Sequence, residues 1–240
     1  MRIDARAAHH APMAHTDSTS TGGAALHQQT VGGHLRMLAQ LDPDREALLA
    51  GDQEYSATYS ELLEQTGLAA RGLMATGVAH GDRVAIWAPE RYEWVVLGLG
   101  AARAGAVLVA IDPACDAAEL GEALEATGSR LVALSRWFCC TDHEALLAQV
   151  RDRCPQLRSV LVLDGEWHAF LEEGTHVSEC ELAAREASVA ADDPVCVRPV
   201  AITHRELLAG TDRGAAGPGV GALDAISHGA CVVVPNRPTT

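Results

Sequence analysis

The stretch ADDPVCVRPVAITHRELL, residues 191–208, sets a cation, a proline and a threonine–histidine pair close together. Arg198 can supply a cation to an oxyanion, and Thr203 and His204 follow it at the start of a helical pattern. Pro199, next to the arginine, has no N–H to donate and holds φ near about −65°. All 18 residues counted as Lys or Arg are arginine. Schiff-base chemistry, a phosphate-loop lysine and any lysine that stabilises a phosphoryl or acyl-adenylate transition state are therefore excluded.

Other reactive groups are scattered. Cys139, Cys140, His143 and Cys154 suggest a nucleophilic thiol or a zinc site, but adjacent cysteines point poorly at one metal and the spacing matches no compact zinc motif. Burial is the expected fate of such cysteines. His9, His10 and His15 could gather a metal, but no acidic or cysteine partner lies nearby to fix a geometry. The pairs Asp192 with Asp193, Glu172 with Glu173 and Glu179 with Glu181 are expected to be solvated surface carboxylates. On these residues we expect no metal site.

The elements that would position these groups follow from short-range signals. Residues 1–29, rich in Ala, His, Ser, Thr and Gly, have no sustained apolar period and are expected to form a disordered tail. Two short strands flank Gly51-Asp52, a pair that favours a hairpin turn. Thr58 and Glu61 have capping-box spacing, Leu62, Thr66, Ala69 and Leu73 follow on one helical face, and Gly77 can close the helix. Val84 to Trp87, AVLVAID, RLVALS and SVLVLD are apolar strand runs separated by helical segments. Asp116 and Glu119 offer another capping box, before Gly128. Strands alternating with helices specify an α/β fold, a parallel sheet flanked by helices on both sides.

Charge and cysteine use narrow the partners. A net charge of −14 argues against nucleic acid and anionic membranes, which need clustered cations. The longest apolar stretch, WVVLGLGAARAGAVLVAI, contains Arg103 and several glycines and reads as a buried helix and strand, not a membrane span. Seven cysteines, an odd number without regular spacing, and no apolar secretory core fit a reducing cytoplasm.

In this order, DREALLAGDQEYSATYSELLEQTGLAARGLMATGVAHGDRVAIWAPERYEWVVLGLGAARAGAVLVAIDPACDAAELGEALEATGSRLVAL resembles the N-terminal region of AMP-forming acyl-CoA synthetases, the adenylate-forming ligases. WAPERYEWVVLGLGAARAG and RWFCCTDHEALLAQVRDRCPQLRSVLVLDGEW are most similar to the branch acting on medium- and long-chain fatty acids. The resemblance makes residues 30–190 the α/β N-terminal subdomain of that fold and 191–240 a contracted remnant of the second subdomain.

The resemblance also implies a departure. Family members continue after DDP through a strand into a loop of the form T-S-G-T-T-G-x-P-K-G, whose N–H groups and lysine cradle ATP phosphates, and then into T-H and a helix. Aligning Thr203-His204 on that T-H puts Arg198 at the lysine and Pro199 at the following glycine, with the glycine-rich segment gone after Val197. Arg198 and Thr203 are then the remnant flanks of the phosphate site. A second contraction around AGTDRGAAGPGVGAL replaces the segment that carries the family's gating histidine, and His204 and His228 are expected to be packing or helix-terminal residues. Beyond NRPTT, the family's adenine pocket, ribose-binding acid, acyl tunnel and C-terminal lysine have no counterpart in the 240 residues. Intact members use ATP, Mg and CoA; for this chain the expectation is a truncated homologue that binds no cofactor and cannot adenylate a carboxylate. The alternative is an interaction module, docking through an exposed subdomain face to an intact synthetase, another cytosolic protein or a second copy of itself. Loose packing is expected from residue 195 onward.

Overall fold

The computed structural model describes residues 29–198, 200–210 and 220–235. The expected tail, with His9, His10 and His15, and the Gly-rich joint after Gly210 lie almost wholly outside them.

Helix α1 (Val31–Leu41), capped by Thr30, precedes a β1 (Glu46–Ala50) and β2 (Tyr55–Thr58) pair. A short 3-10 turn joins the two strands, and Glu54 takes the left-handed conformation at φ 50°. Helix α2 (Tyr59–Ala75) begins at the expected box: the Thr58 hydroxyl accepts from Glu61 N, and the Glu61 carboxylate accepts from Thr58 N. Leu62, Thr66, Ala69 and Leu73 are all fully buried, as a single apolar stripe requires.

The main sheet then follows: β3 (Arg83–Trp87), α3 (Tyr92–Arg103), β4 (Val107–Ile111), α4 (Ala117–Thr127) and β5 (Leu131–Leu134). Next come the small β6 (Trp137–Phe138) and β7 (Thr141–Asp142) pair, α5 (His143–Val150) and β8 (Ser159–Val162). Helices α6 (Leu163–Gly174) and α7 (Glu179–Ala187) lead to β9 (Pro194–Arg198), β10 (Val200–Thr203) and α8 (His204–Ala209). Helix α9 (Val220–Ser227) and β11 (Val232–Val234) complete the described elements. The α4 box forms as its spacing predicts, and Gly128 closes that helix in the left-handed conformation.

Six strands lie in the order β10-β9-β4-β3-β5-β8, all parallel except β10, which runs antiparallel to β9. Successive side chains of a strand face opposite layers. Val84 and Ile86 accordingly join the core formed with α2, α3 and α6, whereas Ala85 and Trp87 join Leu120, Leu124 and Leu147 of α4 and α5. The expected α/β class with both faces covered is present.

Loose packing after residue 195 is not what the described residues show. Val195, Cys196, Val220, Leu223 and Ile226 are buried. Strand β9 pairs with β4, and β11 pairs in parallel with β1 in a second sheet of order β11-β1-β2. Both β9 and β11 thus pair with strands from the first half of the chain.

Candidate functional site

Two places on this scaffold could hold chemistry: the β9–β10 joint, where the sequence places Arg198 and Thr203, and the crevice at the carboxyl ends of the parallel strands.

At the joint, Arg198 pairs with Val200, Ala201 with Val197 and Ile202 with Cys196. The connection is thus an antiparallel hairpin through residue 199, which lies outside the described residues along with the Arg198 side chain. Thr203 caps α8: its hydroxyl accepts from Glu206 N at 3.2 Å and donates to the Glu206 carboxylate at 2.9 Å, and that carboxylate also accepts from Thr203 N. These bonds hold the Glu206 carboxyl below its ordinary value. The Thr203 hydroxyl is thus engaged at the start of its own helix.

His204 and His228 both bond to backbone atoms. His204 is fully buried, its Nδ1 accepts from Val31 N at 3.2 Å, and burial pushes its imidazole down to about 4. It anchors the start of α1 to α8. His228 bonds Asp224 O in the preceding turn of chain at 2.8 Å.

The proposed cysteine–histidine group is not assembled: among the described residues no three His, Cys, Asp or Glu side chains could share a metal. His143 stacks on Trp87 with ring centroids 3.7 Å apart and bonds Pro113 O at 3.0 Å. Cys154 is buried and Cys139 is exposed. The acidic pairs are not merely solvated. Glu181 completes the capping box of α7, Asp192 pairs with Arg205 at 2.7 Å, and Asp193 reaches His80 at 3.0 Å.

In open parallel sheets, ligands settle outside the carboxyl ends of the strands where the winding reverses. Here β4 lies on one side of β3 and β5 on the other, so the reversal falls between β3 and β5. Arg91, four residues after β3, fills that crevice. Its Nε and Nη2 reach the two Glu93 oxygens at 2.7 and 2.6 Å, and its Nη1 reaches Ser135 Oγ at 3.1 Å and Asp164 Oδ1 at 2.6 Å. Asp164 Oδ2 accepts from Arg136 N at 2.6 Å. One guanidinium therefore ties together the ends of β3, β5 and β8.

Gln53 extends this network to the small sheet, donating to Glu93 at 2.8 Å and accepting from Tyr92 N at 3.0 Å. Tyr92 stacks on Tyr55, ring centroids 3.9 Å apart, and burial pushes both phenols up to about 12. Burial disfavours the charge on Arg91, but the Glu93 and Asp164 carboxylates outweigh it and raise its pKa. The crevice is thus filled by a satisfied ionic cluster. Short-range sequence patterns did not reveal it, although a lone arginine between a strand-ending proline and an apolar helix is a usable signal.

The fold and edge geometry first define the class: a doubly wound α/β subdomain with a small mixed sheet beside it. The model of the AMP-binding enzyme family matches residues 35–198, more than half of the chain, and the chain belongs to that family. The match ends at Arg198, where the β9–β10 hairpin turns. The medium-chain acyl-CoA ligase ACSF2 of Bos taurus is 36% identical over 135 residues, covering 56% of this chain and 22% of that protein. The Danio rerio protein of the same name is 27% identical over 192 residues, covering 72% of this chain and 32% of the relative. The chain therefore spans less than two thirds of these relatives. Among solved structures, the N-terminal domain of FACL13 from Mycobacterium tuberculosis aligns with TM-score 0.62 at 22% identity, over 85% of this chain and 56% of that one. An anthranilate CoA ligase, AuaEII, solved with anthranoyl-AMP, aligns with TM-score 0.71 at 15% identity over 89% and 45%. At such identities the likeness is one of fold. No described helix is long and apolar enough to cross a membrane.

Proposed function

We propose that this chain is an acyl-CoA ligase homologue that supplies the family's N-terminal scaffold and does not itself adenylate a carboxylate. One observation carries the inactivity. Where the resemblance puts a glycine-rich loop around ATP phosphates, β9 turns directly into β10 with Arg198 paired to Val200, and Thr203 is spent on capping α8. The residues between Val197 and Thr203 are Arg, Pro, Val, Ala and Ile, which offer neither successive free N–H groups nor a lysine. Catalysis of adenylate formation rests on positioning and charge stabilisation, and these residues do not fit that task. The ATP, Mg and CoA of intact members are accordingly not assigned to this chain. A reducing, cytoplasmic setting suits seven cysteines that are all free thiols.

The test is fatty-acid-dependent exchange of pyrophosphate into ATP by the purified, folded chain, beside a complete relative. Background exchange is expected. Exchange above background that is lost on Arg198→Ala would refute the inactivity and assign the cation to Arg198.

A second reading, an interaction module, draws on the outer edge of β11. Among the described residues no strand pairs with that edge, Val233 on it is 68% exposed, and an unpaired apolar edge is a template for another strand. Pairing of two copies of this chain through β11 would appear as a concentration-dependent dimer in sedimentation, abolished by Val233→Lys; a monomer at all concentrations would remove it.

A further inference from the structure

The β6–β7 hairpin follows β5 at the carboxyl end of the main sheet and is held at its base. His143 N donates to Arg136 O at 3.0 Å, the Arg136 guanidinium pairs with Glu144 at 2.5 Å, and the Phe138 ring lies 6.2 Å from that of His143. The tip differs. Phe138 pairs with Thr141, so Cys139 and Cys140 are the two residues of the turn, and both are free, exposed thiols. Cys139 has φ 51°, a left-handed conformation that two-residue hairpin turns ordinarily give to glycine, asparagine or aspartate.

The turn decides what two neighbouring cysteines can do. In a strand, successive side chains point to opposite faces, and adjacent thiols could not close on one atom. Turn residues are outside that alternation, and two exposed side chains are free to rotate toward each other. A direct disulfide is still unfavourable, because Cα atoms across a trans peptide lie about 3.8 Å apart, short of the roughly 4.4–6.8 Å that disulfides span. An atom placed between the two sulfurs lengthens the bridge and relieves that mismatch. Zinc does not suit the position: a structural zinc closes four ligands around itself, and among the described residues no three His, Cys, Asp or Glu side chains could share a metal. Two thiolates with no further protein ligand match a soft centre that brings its own third substituent.

We propose that Cys139 and Cys140 form a dithiol site that captures trivalent arsenic carrying two replaceable oxygens. Each thiol gives its proton to an oxygen on arsenic, which leaves as water. Two As–O bonds break and two As–S bonds form, and neither arsenic nor sulfur changes oxidation state. The site uses no group of the adenylation chemistry, and its test does not depend on that chemistry.

Chelation selects this pair over the other exposed thiols. Cys180 and Cys231 are also exposed, but neither has a cysteine beside it in the sequence. Once one sulfur of the pair has bound, the short link to the other makes the second bond an intramolecular step, with an effective concentration of about millimolar or more. The ring should therefore survive a competing monothiol that strips arsenic from a single cysteine.

The full, reduced chain is treated with stoichiometric phenylarsine oxide, challenged with excess glutathione, and followed by intact mass and peptide mapping. A single phenylarsenic group is expected, retained in glutathione, released by the dithiol 2,3-dimercaptopropanol, and mapped to the peptide that holds Cys139 and Cys140. Cys139→Ser and Cys140→Ser are each expected to weaken retention by about a hundredfold or more, whereas Cys180→Ser should leave it unchanged. Cys139→Asn, which suits a left-handed turn position, serves if the serine variant does not fold. Arsenite is expected to shield Cys139 and Cys140 from iodoacetamide while Cys180 is alkylated. An adduct mapped to another cysteine, release by glutathione as fast as from the Cys140→Ser chain, or undiminished retention by a folded Cys139 or Cys140 variant would overturn the proposal.

Discussion

Replacing Arg91 by methionine tests whether the crevice cluster holds the strand ends together. The side chains of Arg91 and Glu93 are each 5% exposed, and Asp164 is 34% exposed. Removing the guanidinium strands these partners unequally. Asp164 keeps its bond from Arg136 N and can recover water, but Glu93 stays buried with the neutral side chains of Gln53 and Tyr92 as donors beside it. Breaking a buried ion pair by removing one partner costs about 3–5 kcal/mol, and here most of that falls on Glu93. Such a loss is a large fraction of a typical domain's stability of roughly 5–15 kcal/mol. Urea unfolding followed by tryptophan fluorescence should show a lower midpoint with little change in slope. Adding Glu93→Gln should recover most of the loss, because the uncompensated charge is then gone. If Arg91→Met costs less than about 1 kcal/mol, or the double variant is no more stable than the single, the cluster is not the buried ionic joint described above.

Stability should also fall with acid. His204 is neutral in the fold, with burial lowering its pKa to about 4, while the unfolded side chain titrates near about 6.5. The unfolded chain thus binds the proton first, so this contribution is whole above about pH 6.5 and is lost as pH falls toward 4, by up to roughly 3 kcal/mol. His34 and His143, also lowered by burial, act in the same sense. His204→Gln should flatten the difference between urea midpoints at pH 7 and pH 5, and an unchanged difference would contradict the assignment. Two glycines of α6 should respond oppositely to alanine. Gly165 has nothing within 4 Å of an added Cβ and should gain up to about 1 kcal/mol. At Gly174 the Cβ would lie 2.5 Å from Leu68 O, so thermal unfolding of Gly174→Ala should come several degrees earlier. Thiol labelling of the native chain should modify the exposed Cys139, Cys140 and Cys180 quickly and leave the buried Cys154 and Cys196 untouched until urea is added; rapid labelling of either buried thiol would refute their placement.

Local chemistry determined much of this protein by sequence alone. The capping boxes at Thr58 and Asp116, the apolar runs of β3, β4, β5 and β8, and the left-handed Gly128 all depend on residues within a few positions of one another. Such interactions can be read from spacing, and so can the mismatch between Arg198-Pro199 and a phosphate cradle, because proline's missing donor is a property of the residue itself. Helix α7 could have been recognised in the same way from Ser178 and Glu181. Tertiary structure decided the rest. Arg91 meets Ser135 and Asp164, 44 and 73 positions away, and Arg103 meets Glu186 across 83. His204 reaches back 173 positions to Val31, and β11 finds β1 from the far end of the described chain. No periodicity encodes such meetings. They arise because a parallel sheet brings the ends of its strands together whatever their separation in sequence, and only there does it become evident which charges are buried.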